Sequence, residues 1–169
     1  MLNLIALLAI SPNQAEAPEI SVKLDQTAGI AGGPVRGTAT ITFAPGLHGY
    51  QNPPSQEYQI PVAVSVGEES FKPVKIKYPV GEEHKVGGEN EASRTYSGTV
   101  SIPFVLKSPA KPGKHTISVK VRYQQCTDSM CFAPKTTTQA VEFTTKAAPK
   151  GWTIVSGAAI WAKALSELK

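Results

Sequence analysis

Charge is scarce in this sequence: Asp, Glu, Lys and Arg make up 18% of its 169 residues, below the roughly 25% of ordinary soluble domains. Hydrophobic residues reach 41%, which excludes a globally disordered chain, since such chains are poor in apolar residues and dominated by charge. The lysines are scattered, with neither a basic run nor a basic-aromatic module, so the formal net charge of +4 describes a solvated surface and not a nucleic-acid partner. No apolar run approaches the roughly 20 residues that a membrane-spanning helix needs. The glycine pattern of a nucleophile elbow is missing, and so is a phosphate-cradling glycine loop. Cysteine is limited to two residues, leaving no odd thiol once a pair forms. What is plentiful is turn chemistry: fourteen glycines and fourteen prolines favour short strands and joints over long helices. A chain of this length also buries enough core to fold without staples.

The two ends differ from the middle. Residues 1–17 read as a secretory signal peptide: an apolar stretch from Leu2 to Ile10 broken only by Asn3, then Pro12 and the small-residue triplet Ala15-Glu16-Ala17. Export follows as the expectation, although no Lys or Arg precedes the apolar stretch. At the other end, residues 149–169 form a tail in which Trp152, Ile154, Val155, Ala158, Ala159, Ile160, Trp161, Ala164, Leu165 and Leu168 make a helical apolar stripe. The stripe is too short to span a bilayer. Packing on the body of the protein is its default role, with a membrane interface or a partner helix as alternatives.

Between the ends, residues 18–148 have a period of two, which marks strands. Seven are expected: Ile20 to Leu24, Val35 to Phe43, Gln59 to Val66, Phe71 to Tyr78, Tyr96 to Leu106, His115 to Tyr123 and Thr138 to Thr144. Gly33-Pro34, Pro45-Gly46, Pro53-Pro54, Gly87-Gly88 and Pro112-Gly113 punctuate them. Strands without intervening helices predict an all-β fold, an immunoglobulin-like antiparallel β-sandwich followed by a short C-terminal helix. Two segments, Pro45 to Tyr58 and Pro79 to Thr95, are longer than a joint requires and are candidates for surrounding a site.

Both cysteines lie in Tyr123-Gln124-Gln125-Cys126-Thr127-Asp128-Ser129-Met130-Cys131-Phe132-Ala133-Pro134. An exported chain with one pair most simply forms one disulfide. The chain must double back, because five extended steps would separate the Cα atoms by about 17 Å and a disulfide needs about 5.5 to 6 Å. Closing a ring this small constrains the unfolded chain by only about 2 kcal/mol. Structural and redox readings are equally compatible with the spacing, which is not the Cys-x-x-Cys of thioredoxin-like proteins. Cys126, Cys131 and Met130 with His48, His84 or His115 could also supply soft ligands to copper or zinc, but the histidines have no ligand spacing of their own. No metal and no cofactor are expected.

The string Tyr123-Gln124-x-Cys126 followed by Cys131-x-x-Pro134, at the end of a strand, resembles the N-terminal periplasmic domain of the thiol:disulfide interchange protein DsbD. Pro45-Gly46-Leu47-His48-Gly49-Tyr50 and Asn52-Pro53 extend the likeness, and the succession of strands fits from Ile20 to Thr145. The resemblance implies a periplasmic thiol-disulfide exchange module. Its electrons would come from a thioredoxin-like donor and pass to oxidised periplasmic thiol proteins, among them disulfide isomerase and cytochrome c maturation factors. Cys131 would enter the mixed disulfide and Cys126 would resolve it. Tyr50, Tyr123, Phe132 and Pro134 would lie around the pair, and the loop from Glu82 to Glu91 would be a cap, with Val86 as its one sizeable apolar residue.

The family's membrane segments and thioredoxin-like domain have no counterpart in these residues, so a separate donor is expected, together with a weaker cap. Asp128 lies inside the ring, where a carboxylate disfavours a thiolate; its alternative role is that of a turn residue. The competing function is a non-enzymatic immunoglobulin-like adaptor with an inert disulfide.

Overall fold

The computed structural model describes residues 16–67, 70–85, 90–151 and 154–168. Most of the signal-peptide segment, Val86 and Trp152 lie outside them. The strands are β1 (Glu19–Leu24), β2 (Ala28–Ile30), β3 (Pro34–Thr42), β4 (His48–Tyr50), β5 (Ala63–Val66), β6 (Lys72–Ile76), β7 (Glu82–His84), β8 (Ser93–Ser97), β9 (Thr99–Lys107), β10 (Gly113–Tyr123) and β11 (Lys135–Lys146), followed by helix α1 (Ile154–Ser166). One sheet has the order β1-β3-β9-β6 and a second the order β2-β11-β10-β5, while β4-β8-β7 form a small third sheet.

Alternation along the strands builds the core. In β3, Val35, Gly37, Ala39 and Ile41 point inward, and the residues between them are half-exposed. Ile102, Phe104 and Leu106 of the first sheet meet Ile117, Val119 and Val121 of the second, all within one hydrophobic cluster. This is the expected sandwich, with pairing antiparallel except where the short β2 runs parallel to β11.

Strand β9 breaks its alternation at Phe104-Val105-Leu106, three consecutive buried residues. Val105 faces outward and is covered by Ala164 of α1 and by Leu168 just beyond it, flanked by Trp161 and Leu165. Arg36 of β3 pairs with Glu167 beyond the helix and, at 3.1 Å, with Asp25. The C-terminal part of the apolar stripe, Trp161, Ala164, Leu165 and Leu168, therefore packs on the sandwich. No helix among the described residues is long and apolar enough to cross a membrane.

The sequence and the structure differ most at Tyr96 to Leu106, expected as one strand. Gly98 adopts φ +58°, a left-handed conformation that glycine reaches without penalty. The chain turns there, so β8 joins the small sheet while β9 enters the first. The other two strands of the small sheet come from the two long segments. Their residues do not alternate cleanly because β4 is buried at all three positions, and a three-residue strand offers no period to read.

Candidate functional site

The long hairpin of β10 and β11 ends beyond the Tyr123 and Lys135 pair. Past it the Phe132 amide donates to the Gln125 carbonyl at 2.8 Å, and Cys126 and Cys131 face each other as an antiparallel bridge. The two are disulfide-bonded with Cα atoms 4.0 Å apart. Within the ring, the Thr127 amide donates to the Met130 carbonyl at 2.8 Å, and the Thr127 hydroxyl accepts from the Ser129 and Met130 amides at 3.3 and 3.2 Å. This local closure by a threonine hydroxyl is the turn chemistry expected of Thr127-Asp128-Ser129.

The two sulfur-bearing residues differ in exposure. Cys126 is completely buried, while Cys131 is exposed. Cys126 is held by β4, exchanging backbone hydrogen bonds with His48 at 3.0 and 2.8 Å. Alternate residues of a strand share a face, so His48 and Tyr50 both flank the ring. The Tyr50 hydroxyl lies 3.7 Å from the Cys131 sulfur, and Tyr50 packs with Cys126 in a small cluster separate from the main core. Gly49 between them is required by packing: a Cβ there would stand 2.7 Å from the Phe43 ring, closer than side-chain carbons approach.

Strand β7 brings a further partner. His84 Nε2 is 3.0 Å from Asp128 Oδ1, and the His84 ring lies 4.6 Å from the His48 ring, tilted by 58°. Asp128 thus ties the ring to β7. Strand β7 is itself braced by side chains of its neighbours. Gln51 accepts from the Gly81 amide at 2.9 Å, and Arg94 reaches the Gly81 carbonyl at 3.1 Å and Glu83 at 3.0 Å.

The family-model comparison assigns residues 16–142 to the N-terminal domain of the thiol:disulfide interchange protein DsbD. The chain belongs to the DsbD N-terminal domain family. Among solved structures, it is similar to the N-terminal periplasmic domain of ScsB from Proteus mirabilis, with a TM-score of 0.56 and 15% identity over 90% of this chain. That alignment spans 55% of the ScsB-domain chain, and the likeness is one of fold. No curated protein matches the chain. The family is named for a thiol:disulfide interchange protein, and this chain carries a disulfide-bonded cysteine pair.

Within this DsbD-type domain, Cys126, Cys131, Tyr50 and Asp128 come together as a group. Phe132 is half-buried just outside the ring and accepts from the Gln124 side chain at 2.9 Å, and Pro134 is exposed at the start of β11. Tyr123 is elsewhere: its side chain belongs to the main core, 3% exposed. The expected cap supplies His84 to the site from its first strand. The convergence of His48 and His84 is what chain order hid, because 36 positions separate them and only the pairing of β4 and β7 with β8 brings them together. His115 stands apart near the opposite end of β10, bonded to Thr145 at 2.7 Å.

Two tyrosines behind the site link it to alkaline stability. The Tyr96 hydroxyl donates to the Pro79 carbonyl at 2.7 Å and accepts from the Asn52 amide at 3.4 Å; Tyr78 accepts from the Val64 amide at 2.9 Å. Burial pushes both phenols above their ordinary value of 10.0, each partly offset by the amide it accepts from, and Tyr78 adds to the rise at Tyr96. The folded state retains these protons more tightly than the unfolded chain. Their contribution is therefore complete below the unfolded value and is lost as pH rises through the folded values. The melting temperature is expected to fall above about pH 10, and Tyr96→Phe to shrink that fall while costing about 1 kcal/mol at neutral pH through lost hydrogen bonding. Thermal melts from neutral to alkaline pH check this.

Proposed function

We propose that this protein is a periplasmic thiol-disulfide exchange module. It accepts electrons from a thioredoxin-like donor and passes them to oxidised periplasmic thiol proteins through Cys126 and Cys131. The observation that carries this reading is the asymmetry of the pair: one sulfur-bearing residue exposed at a hairpin tip, the other buried behind it. A partner thiol must approach in line with the sulfur-sulfur bond, and only the Cys131 side is open to it.

In the reduced protein, the Cys131 thiolate attacks one sulfur of a partner disulfide. A Cys131-partner disulfide forms as the partner's second sulfur leaves as thiolate and takes up a proton. Cys126 then attacks the Cys131 sulfur, re-forming the intramolecular disulfide and releasing the partner as a dithiol. Two electrons have moved to the partner. A donor dithiol restores the pair by the same steps in reverse order. Tyr50 covers one side of Cys131, and Asp128 is engaged with His84 at the ring's outer edge.

The experiment is the reduction potential of the pair, measured by equilibration with glutathione and with a thioredoxin-like protein. A redox-active pair equilibrates with them and lies above about −300 mV. A lower potential without exchange marks an inert structural bridge and selects the adaptor reading.

A further inference from the structure

His48, His84 and Asp128 come from three separate segments, β4, β7 and the disulfide ring, and each offers one donor atom within 4.8 Å of the others. The backbone places each of them. His48 is fixed by its double hydrogen bond to Cys126, His84 by its pairing with Ser93 across β7 and β8, and Asp128 by the closed ring. His48 is buried, and the two imidazoles are already in contact.

We infer that these three side chains form a binding site for a divalent transition-metal ion of the zinc or cupric type. Two imidazoles and one carboxylate are the donor set that such ions prefer. Calcium and magnesium are disfavoured because they take oxygen ligands. Donor atoms on a tetrahedral zinc, each about 2.0 to 2.1 Å from the metal, stand about 3.3 Å apart. The observed set spans 3.0 Å for His84 and Asp128 and up to 4.8 Å overall, which brackets that separation. Three protein ligands leave a fourth position open to water. Neither sulfur is required, so the disulfide form binds the ion, and the inference stands apart from the exchange reading. An occupied site would join β7 to the ring through the metal.

The test uses the oxidised full chain without a histidine tag, titrated with zinc by calorimetry, with cobalt absorption reporting coordination. The substituted residues are His84 and Asp128, whose side chains are 39% and 81% exposed, so folding is spared; buried His48 is left intact. One ion is expected to bind per chain, weakened at least about tenfold by His84→Ala and by Asp128→Asn, and unchanged by His115→Ala. Cobalt is expected to show tetrahedral bands, and zinc to slow amide exchange in residues 82–84 and 126–131. Absence of saturable binding at micromolar zinc, or binding that both variants leave intact, overturns the inference.

Discussion

Cys131→Ser is expected to abolish mixed-disulfide formation with a thioredoxin-like partner, while Cys126→Ala in the reduced state is expected to trap it. The asymmetry of burial decides which variant does which. With Cys131 gone, the remaining thiol sits on a residue with no solvent exposure, behind a ring closed by its own hydrogen bonds. No in-line approach is open to a partner. With Cys126 gone, Cys131 still attacks, but nothing resolves the adduct, so the loss of turnover is complete in both cases and only the trapped species differs. Non-reducing electrophoresis and intact mass after mixing with an oxidised partner distinguish them. Accumulation of the adduct with Cys131→Ser instead would reverse the assigned roles.

The second large effect concerns stability. Phe104 is 1% exposed at the centre of the core and lies opposite Gly37 in the β3 and β9 register. Its ring occupies the space that glycine leaves, since a Cβ at Gly37 would stand 2.7 Å from it. Phe104→Ala removes a large ring and leaves a cavity, at a cost of about 3 to 5 kcal/mol. For a domain of this size that is a fall of roughly 10 °C or more in melting temperature. Reduction of the Cys126–Cys131 disulfide is expected to cost only about 2 kcal/mol, because the ring it closes has few residues. Thermal melts of Phe104→Ala and of the reduced wild type make the comparison. A reduced protein that loses more stability than Phe104→Ala would show the bridge to be a structural staple.

The long strands were legible because each is half-buried on a sheet: Val35 to Ile41 and Ile117 to Val121 alternate as a face against core requires. The cysteine ring was legible for a different reason, since two residues five positions apart can form a disulfide only if the chain reverses between them. The tail was legible only as amphipathic, because nothing in the sequence marks Val105, the residue it covers, as its partner. The small sheet was not legible at all. Its strands β4 and β7 have three residues each, and a period of two cannot be recognised over so short a stretch.

By itself the sequence determined an all-β sandwich and a cysteine pair where the chain doubles back. Those properties rest on local periodicity and on contacts between neighbours in the chain. Tertiary structure alone decided which cysteine is buried, that Tyr123 belongs to the core while Tyr50 touches Cys131, and that His48, His84 and Asp128 converge beside the pair. Tyr123 is placed by the face of β10 that packs in the main core, whereas the contacts of Tyr50 and the convergence of the histidines depend on β4 and β7 pairing with β8, a long-range contact that leaves no period in the sequence.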